Sequence, residues 1–296
     1  MKWEGNRESD NVEDRRGGGG GGGGGFGFGG KSIGIGGIVI ALLGSWLFGI
    51  NPMTMLDMMG GGGGGPVTTQ QSPAQGGQAA PAADRETRFM RTVLADTEDV
   101  WTKQFEQAGG TYVKPTLVLF EGATSTQCGT GEAASGPFYC PADRNVYIDL
   151  SFYRLMRERF QVEGEFAQAY VIAHEVGHHV QHQLGFTEKV NNARQRGSKR
   201  EANEMSVRLE LQADCYAGLW ANHSNKARGI LEQGDLEAAL KAASAIGDDA
   251  LQGKSGGRVV PDSFTHGSSE QRMRWFKRGI ESGSVQQCNT FETQQL

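Results

Sequence analysis

Two histidines four residues apart, with a glutamate beside the first, are the residues in this 296-residue chain whose spacing most directly suggests chemistry: His174-Glu175-Val176-Gly177-His178. Residues four apart on a helix share a face, so His174 and His178 can present two imidazoles to one cation. Glu175 can project toward water held by that cation and accept its proton as the water attacks a carbonyl. So short a pattern recurs by chance and needs support elsewhere. Glu210-Leu-Gln-Ala-Asp214, on a later helical stretch, supplies it. Glu210 offers an anionic oxygen as a third ligand. Asp214, one turn on, can accept an N–H from a ligand histidine and fix its tautomer. Three protein ligands leave one position open, which is the catalytic rather than the structural arrangement of zinc.

Other candidates weigh differently. His179 is rotated about 100° from His178 around the helix, and His182 follows one turn further, so both read as surface or hydrogen-bonded histidines. His266, in Phe-Thr-His-Gly, has two readings: a donor to the oxyanion of a tetrahedral intermediate, or a brace for the helix that follows. Tyr216 and Trp220 read as core. Arg272 reads as part of a charged face, with pairing to an acidic group near the site as the alternative. Gly177 leaves room for a close helix contact.

The elements that must position these residues follow from periodicity. Helices are expected over Glu86–Gln107, Ser151–Phe160 with Ser151 as cap, Glu165–Gln183, Ser206–His223, Leu236–Ile246 and, opened by Ser268, Glu270–Ile280. Thr111–Phe120 reads as extended, with Pro115 suggesting an edge or interrupted strand. Asn145–Leu150 alternates as a short strand. A few strands among many helices give an α+β domain.

Four zones divide the chain. Residues 1–31 form a charged, glycine-rich tail. Ser32–Ile50 is a run of nineteen residues without a charge, about 28 Å as a helix, long enough to span a bilayer. Residues 51–83 form a Gly/Pro/Gln/Ala linker, and residues 84–296 the catalytic domain. Lys2, Arg7, Arg15, Arg16 and Lys31 precede the apolar run, whereas the next basic residue after it is Arg85. The positive-inside rule then predicts an inner-membrane, single-pass protein with its N-terminus in the cytoplasm and its catalytic domain periplasmic or extracellular. Cys128 and Cys140 flank a short polar loop that suits a disulfide, and Cys215 and Cys288 are a possible second pair, although four cysteines allow three connectivities. The absence of C-x-x-C argues against a cysteine metal site. A net charge of −5 without a basic stripe argues against nucleic acid as a partner.

Taken together, GPFYCPADRNVYIDLSFY, AYVIAHEVGHHVQ, ELQADCYAGLW and PDSFTHGSSEQRMRWF resemble the putative neutral zinc metallopeptidase family of bacteria. The HExxH followed by ExxxD is similar to the gluzincin-type zincins. The resemblance implies a zincin-like α+β fold with a small sheet and an active-site helix. It also implies Zn2+ held by His174, His178 and Glu210, with Glu175 as catalytic acid/base. The expected activity is hydrolysis of peptide bonds in envelope proteins or peptides. In zincins an edge strand beside the active helix pairs with extended substrate, and Val146–Asp149 is the candidate; an ordinary interior strand is the alternative. A scaffold or chaperone-like protein with a structural zinc site is the competing function. An intramembrane protease fits poorly, because the histidines lie outside the apolar run.

Overall fold

The computed structural model describes residues 1–16, 84–132, 136–254 and 259–296. They form an α+β body. Its main sheet has the order β1-β2-β6-β5, built from β1 (Val12–Asp14), β2 (Thr116–Phe120), β6 (Asn145–Asp149) and β5 (Phe138–Cys140). β1 and β6 each run parallel to β2, and β5 runs antiparallel to β6. A hairpin of β3 (Ala123–Thr126) and β4 (Gly129–Glu132) stands apart as a second small sheet. The period of two along a strand decides the faces. Leu117, Leu119, Val146 and Ile148 enter the large core with the helices, while Val118, Phe120 and Tyr147 pack on the opposite face.

The helices are α1 (Arg85–Gln107), α2 (Ser151–Phe160), α3 (Glu165–Gln183), α4 (Phe186–Arg196), α5 (Lys199–Arg228), α6 (Asp235–Ala245), α7 (Asp248–Lys254) and α8 (Ser269–Ser282). α3 is apolar around most of its circumference: Phe166, Tyr170, Ile172, Val176 and Val180 are all buried, as a helix through the core requires. Its approach to α5 is close at Gly177, where an added Cβ would lie 3.1 Å from the Ala213 carbonyl oxygen. α5 and α8 cross more closely still. A Cβ on Gly279 would fall 2.0 Å from the Cys215 carbonyl oxygen, so no larger residue fits without displacing the helices. Cys215–Cys288 reinforces this crossing, and Cys128–Cys140 ties the β3–β4 turn to β5.

Several boundaries differ from expectation. Pro115 precedes β2 rather than interrupting it, and β2 is interior because β1 pairs beyond it. Ser151 does not cap α2: Leu150 is the N-cap, and the Ser151 N–H instead donates to Asp149 Oδ1 at 2.7 Å. α5 begins earlier than Ser206 because Ser198 and Glu201 form a reciprocal capping box. α4, α7 and the β3–β4 hairpin lie where the sequence showed no clear period.

The largest correction concerns the N-terminus. Of the expected tail, residues 1–16 pack against residues 84–296, and residues 17–31 lie outside the described residues. Trp3 is 3% exposed, stands edge-on to Phe89 at 5.3 Å, and donates its indole N–H to Glu165 at 2.8 Å. Buried Glu98 accepts from Ser9 Oγ at 2.7 Å, Asn11 Nδ2 at 2.7 Å and Arg7 at 3.0 Å. The apolar run Ser32–Ile50 and the linker 51–83 lie outside the described residues. Among the described residues, no helix is long and apolar enough to cross a membrane.

Candidate active site

α3 and α5 cross with their functional side chains facing one another. His174 and His178 come from α3 and Glu210 from α5, and their nearest ligand atoms all lie within 4.8 Å of one another. His174 Nε2 is 3.3 Å from one Glu210 oxygen, and His178 Nε2 is 3.5 Å from the other. The second contacts of the rings set their tautomers. His174 Nδ1 donates to Asp214 Oδ1 at 2.9 Å, and His178 Nδ1 donates to Gln181 Oε1 at 2.8 Å. With each Nδ1 turned to its own acceptor, both Nε2 atoms face the Glu210 carboxylate, the arrangement that lets two imidazoles and a carboxylate share one cation. Their spacing also suits zinc: ligands at about 2.0–2.2 Å in a tetrahedron stand about 3.4 Å apart. The residues fit the metal.

The shell behind them was only partly legible in sequence. Asp214 is fully buried and receives three groups: His174, the Tyr170 hydroxyl at 2.6 Å, and Arg272 through Nε at 2.8 Å and Nη2 at 2.9 Å. Burial alone would raise the Asp214 carboxyl, but Arg272 and His174 outweigh it and hold the pKa near about 2. Arg272 is thus a buried partner of the site, 2% exposed, rather than part of a charged face. The burial of an acidic residue on α5 was the signal that a cation had to come from another element. Gln181 does the equivalent task for His178, anchored in turn to Leu209 O at 2.7 Å and Gln212 at 3.1 Å.

Glu175 lies in the same cleft, 7% exposed, and its carboxyl is raised by burial against the opposing charges of His178 and His174. His266 lines the cleft opposite α3. Its Nδ1 lies 3.2 Å from Asp248 Oδ1, while the other Asp248 oxygen accepts backbone N–H bonds from Thr265, His266 and Gly267 at 2.7–3.0 Å. This carboxylate clamp fixes the loop and turns the imidazole. Burial works against the His266 cation, but Asp248 and the charge of Glu210 together raise its pKa.

His179 is not near the ligand cluster's open side. Its Nε2 donates to Val113 O at 2.6 Å and its Nδ1 accepts from the Tyr139 hydroxyl at 3.1 Å, bracing α3 against the sheet. Burial lowers its pKa to about 4, so it is held neutral. His182 stands tilted to the Tyr139 ring at 6.1 Å, and Tyr216 and Trp220 are core. Val146–Asp149 is interior between β2 and β5, so it does not present a free edge. β5 does: among the described residues it pairs only with β6, and Phe138 and Tyr139 line the cleft. The cleft encloses about 590 Å³ and is walled by apolar groups including Phe152, Val171, Leu209 and Leu251.

Comparison with known proteins agrees with this geometry. The family described as "Putative neutral zinc metallopeptidase" matches residues 1–291. The chain is 53% identical over 294 residues to the uncharacterized protein YpfJ of Escherichia coli (strain K12), covering 98% of this chain and 99% of that one. It is 41% identical over 195 residues to the uncharacterized protein Rv2575 of Mycobacterium tuberculosis, covering 62% of this chain and 65% of that one. No solved structure matches. With the match spanning nearly the whole chain and His174, His178 and Glu210 gathered at its centre, this chain belongs to the family described as "Putative neutral zinc metallopeptidase".

Proposed function

We propose that this chain is an endopeptidase that hydrolyses peptide bonds in proteins or peptides of the cell envelope. The observation that carries the reading is the convergence of His174, His178 and Glu210 in the wall of an open cleft, with the Glu175 carboxylate alongside. The three side chains would hold zinc, which acidifies water and polarises a carbonyl when bound. Glu175 then takes the proton from the attacking water and delivers it to the leaving amine. Its burial raises its affinity for a proton, which favours the first of these transfers. His266, held by Asp248, donates to the oxygen that becomes negative as the carbonyl is attacked. Asp214, Arg272 and Gln181 act behind the ligands, holding both imidazoles in the tautomer the metal needs.

Substrate binding follows from β5. An extended peptide adding to its free edge would gain backbone hydrogen bonds that do not depend on sequence, while alternate side chains enter the apolar cleft. This favours internal peptide bonds flanked by an apolar residue. The disulfides Cys128–Cys140 and Cys215–Cys288 suit an oxidising compartment, which supports the reading of substrates outside the cytoplasm.

The test compares full-length wild type with Glu175→Gln. Both should carry about one zinc per chain, given the three-ligand site. Wild type alone should cleave unstructured envelope proteins, and their fragments should disappear in cells expressing the variant. Full cleavage by Glu175→Gln, or wild type purified without chelators and free of zinc, would refute the assignment.

A further inference from the structure

We infer that the N-terminus and the catalytic domain occupy the same side of any membrane, residues 17–83 being inserted in sequence between two adjoining points, Arg16 and Asp84. A single-pass topology, with residues 1–31 inside and residues 84–296 outside, is incompatible with the packing of residues 1–16. β1 is the outer strand of the main sheet, with Val12 opposite Leu117, Glu13 opposite Val118 and Asp14 opposite Leu119. Trp3 completes the core between α1 and α3. Glu98, buried on α1, takes its hydrogen bonds from Ser9, Asn11 and Arg7. No bilayer can separate groups in such contact.

The two ends of the insertion meet. Arg16, the last described residue before it, pairs with Asp84, the first after it, at 3.3 Å, and also bonds Thr87. Asp84 is at the same time the N-cap of α1, accepting from the Thr87 N–H at 2.7 Å. The exit and entry points are therefore fastened together on one face. Residues 16 and 84 therefore lie on one side of any membrane. The family match, which starts at residue 1, includes the N-terminal segment in the shared chain. This inference does not rest on the peptidase reading, and its test uses no activity.

Asp10 and Lys103 are exposed positions on the two parts. Asp10→Cys and Lys103→Cys, each in the full chain, are expressed in Gram-negative cells. Spheroplasts are treated with a membrane-impermeant maleimide before and after permeabilisation. The two positions should label alike, both before permeabilisation if the body is exported. Labelling of one before and the other only after would overturn the inference. A stability measurement guards against misfolded variants. Trp3→Ala in the purified full chain should lower the Tm of the single unfolding transition by about 10 °C, as truncation of a buried aromatic does. An unchanged Tm would show that Trp3 is not part of the domain and would equally overturn it.

Discussion

The zinc-binding centre and the docked N-terminus are both built on buried polar contacts, yet they differ in how far apart along the chain their partners lie. His174, His178 and Glu210 fall within two helices that are close in sequence; Asp214 on α5 orients His174, Gln181 on α3 orients His178, and Arg272 on α8 holds Asp214. The N-terminal segment instead reaches across the insertion to Glu98 and Glu165. A site assembled from helix periodicity announces itself in a short motif. A strand that adds to an existing sheet edge does not, because its three residues carry no pattern of their own. The chemistry of the protein is thus concentrated where sequence is most readable, and its architecture is closed where sequence is least so.

The sharpest way to separate the two regions is to remove chemistry without touching architecture. Glu175→Gln keeps size and burial but removes the base. Peptide cleavage should fall about 10²–10⁴-fold while zinc content and Tm stay near wild type. A matching loss of zinc would mean that Glu175 belongs to the metal-holding structure instead.

Arg272 joins the two kinds of contact, since it is remote in sequence yet serves the centre. Arg272→Met leaves Asp214 buried without its cation and should cost about 3–5 kcal/mol, read by chemical denaturation. Zinc affinity should fall about 10–100-fold, measured by competition with a chromogenic chelator. Stability lost with zinc affinity unchanged would show that Arg272 supports only the α5–α8 packing.

His266→Ala should reduce kcat about 10²–10³-fold with little change in KM, if its imidazole acts on charge that exists only in the transition state. Asp248→Asn should reproduce part of that loss, because the loop carrying Thr265, His266 and Gly267 hangs on its carboxylate. A change confined to KM would assign His266 to substrate binding. The site's centre was legible because a helix converts i, i+4 spacing into geometry. Asp248 and Gln181 were not, since nothing in their local sequence tells a loop clamp or a ring-orienting amide from a surface polar residue. β5 was missed as the free edge for a related reason. Strand order is decided by which strand pairs beyond which, and β1, added from the far end of the chain, moved β2 to the interior.

The smallest expected effect tests the docked N-terminus alone. Burial pushes the Glu98 carboxyl up, but bonds from Asn11, Ser9 and Arg7 overcome it and leave the pKa lowered. A carboxyl depressed in the folded state adds stability that is present above its unfolded pKa of about 4.3 and is lost as pH falls through the folded value. Ser9→Ala removes one of these donors from a buried acceptor and should cost about 1 kcal/mol at pH 7. The gap between variant and wild type should then narrow as the solution is acidified below about pH 4, because Glu98 becomes protonated in both. Urea denaturation across that range reads both quantities. A gap that stays constant with pH would assign the loss to packing around Ser9, leaving Glu98 to be held by Arg7 and Asn11. No gap at any pH would mean that the segment does not close over Glu98 in solution.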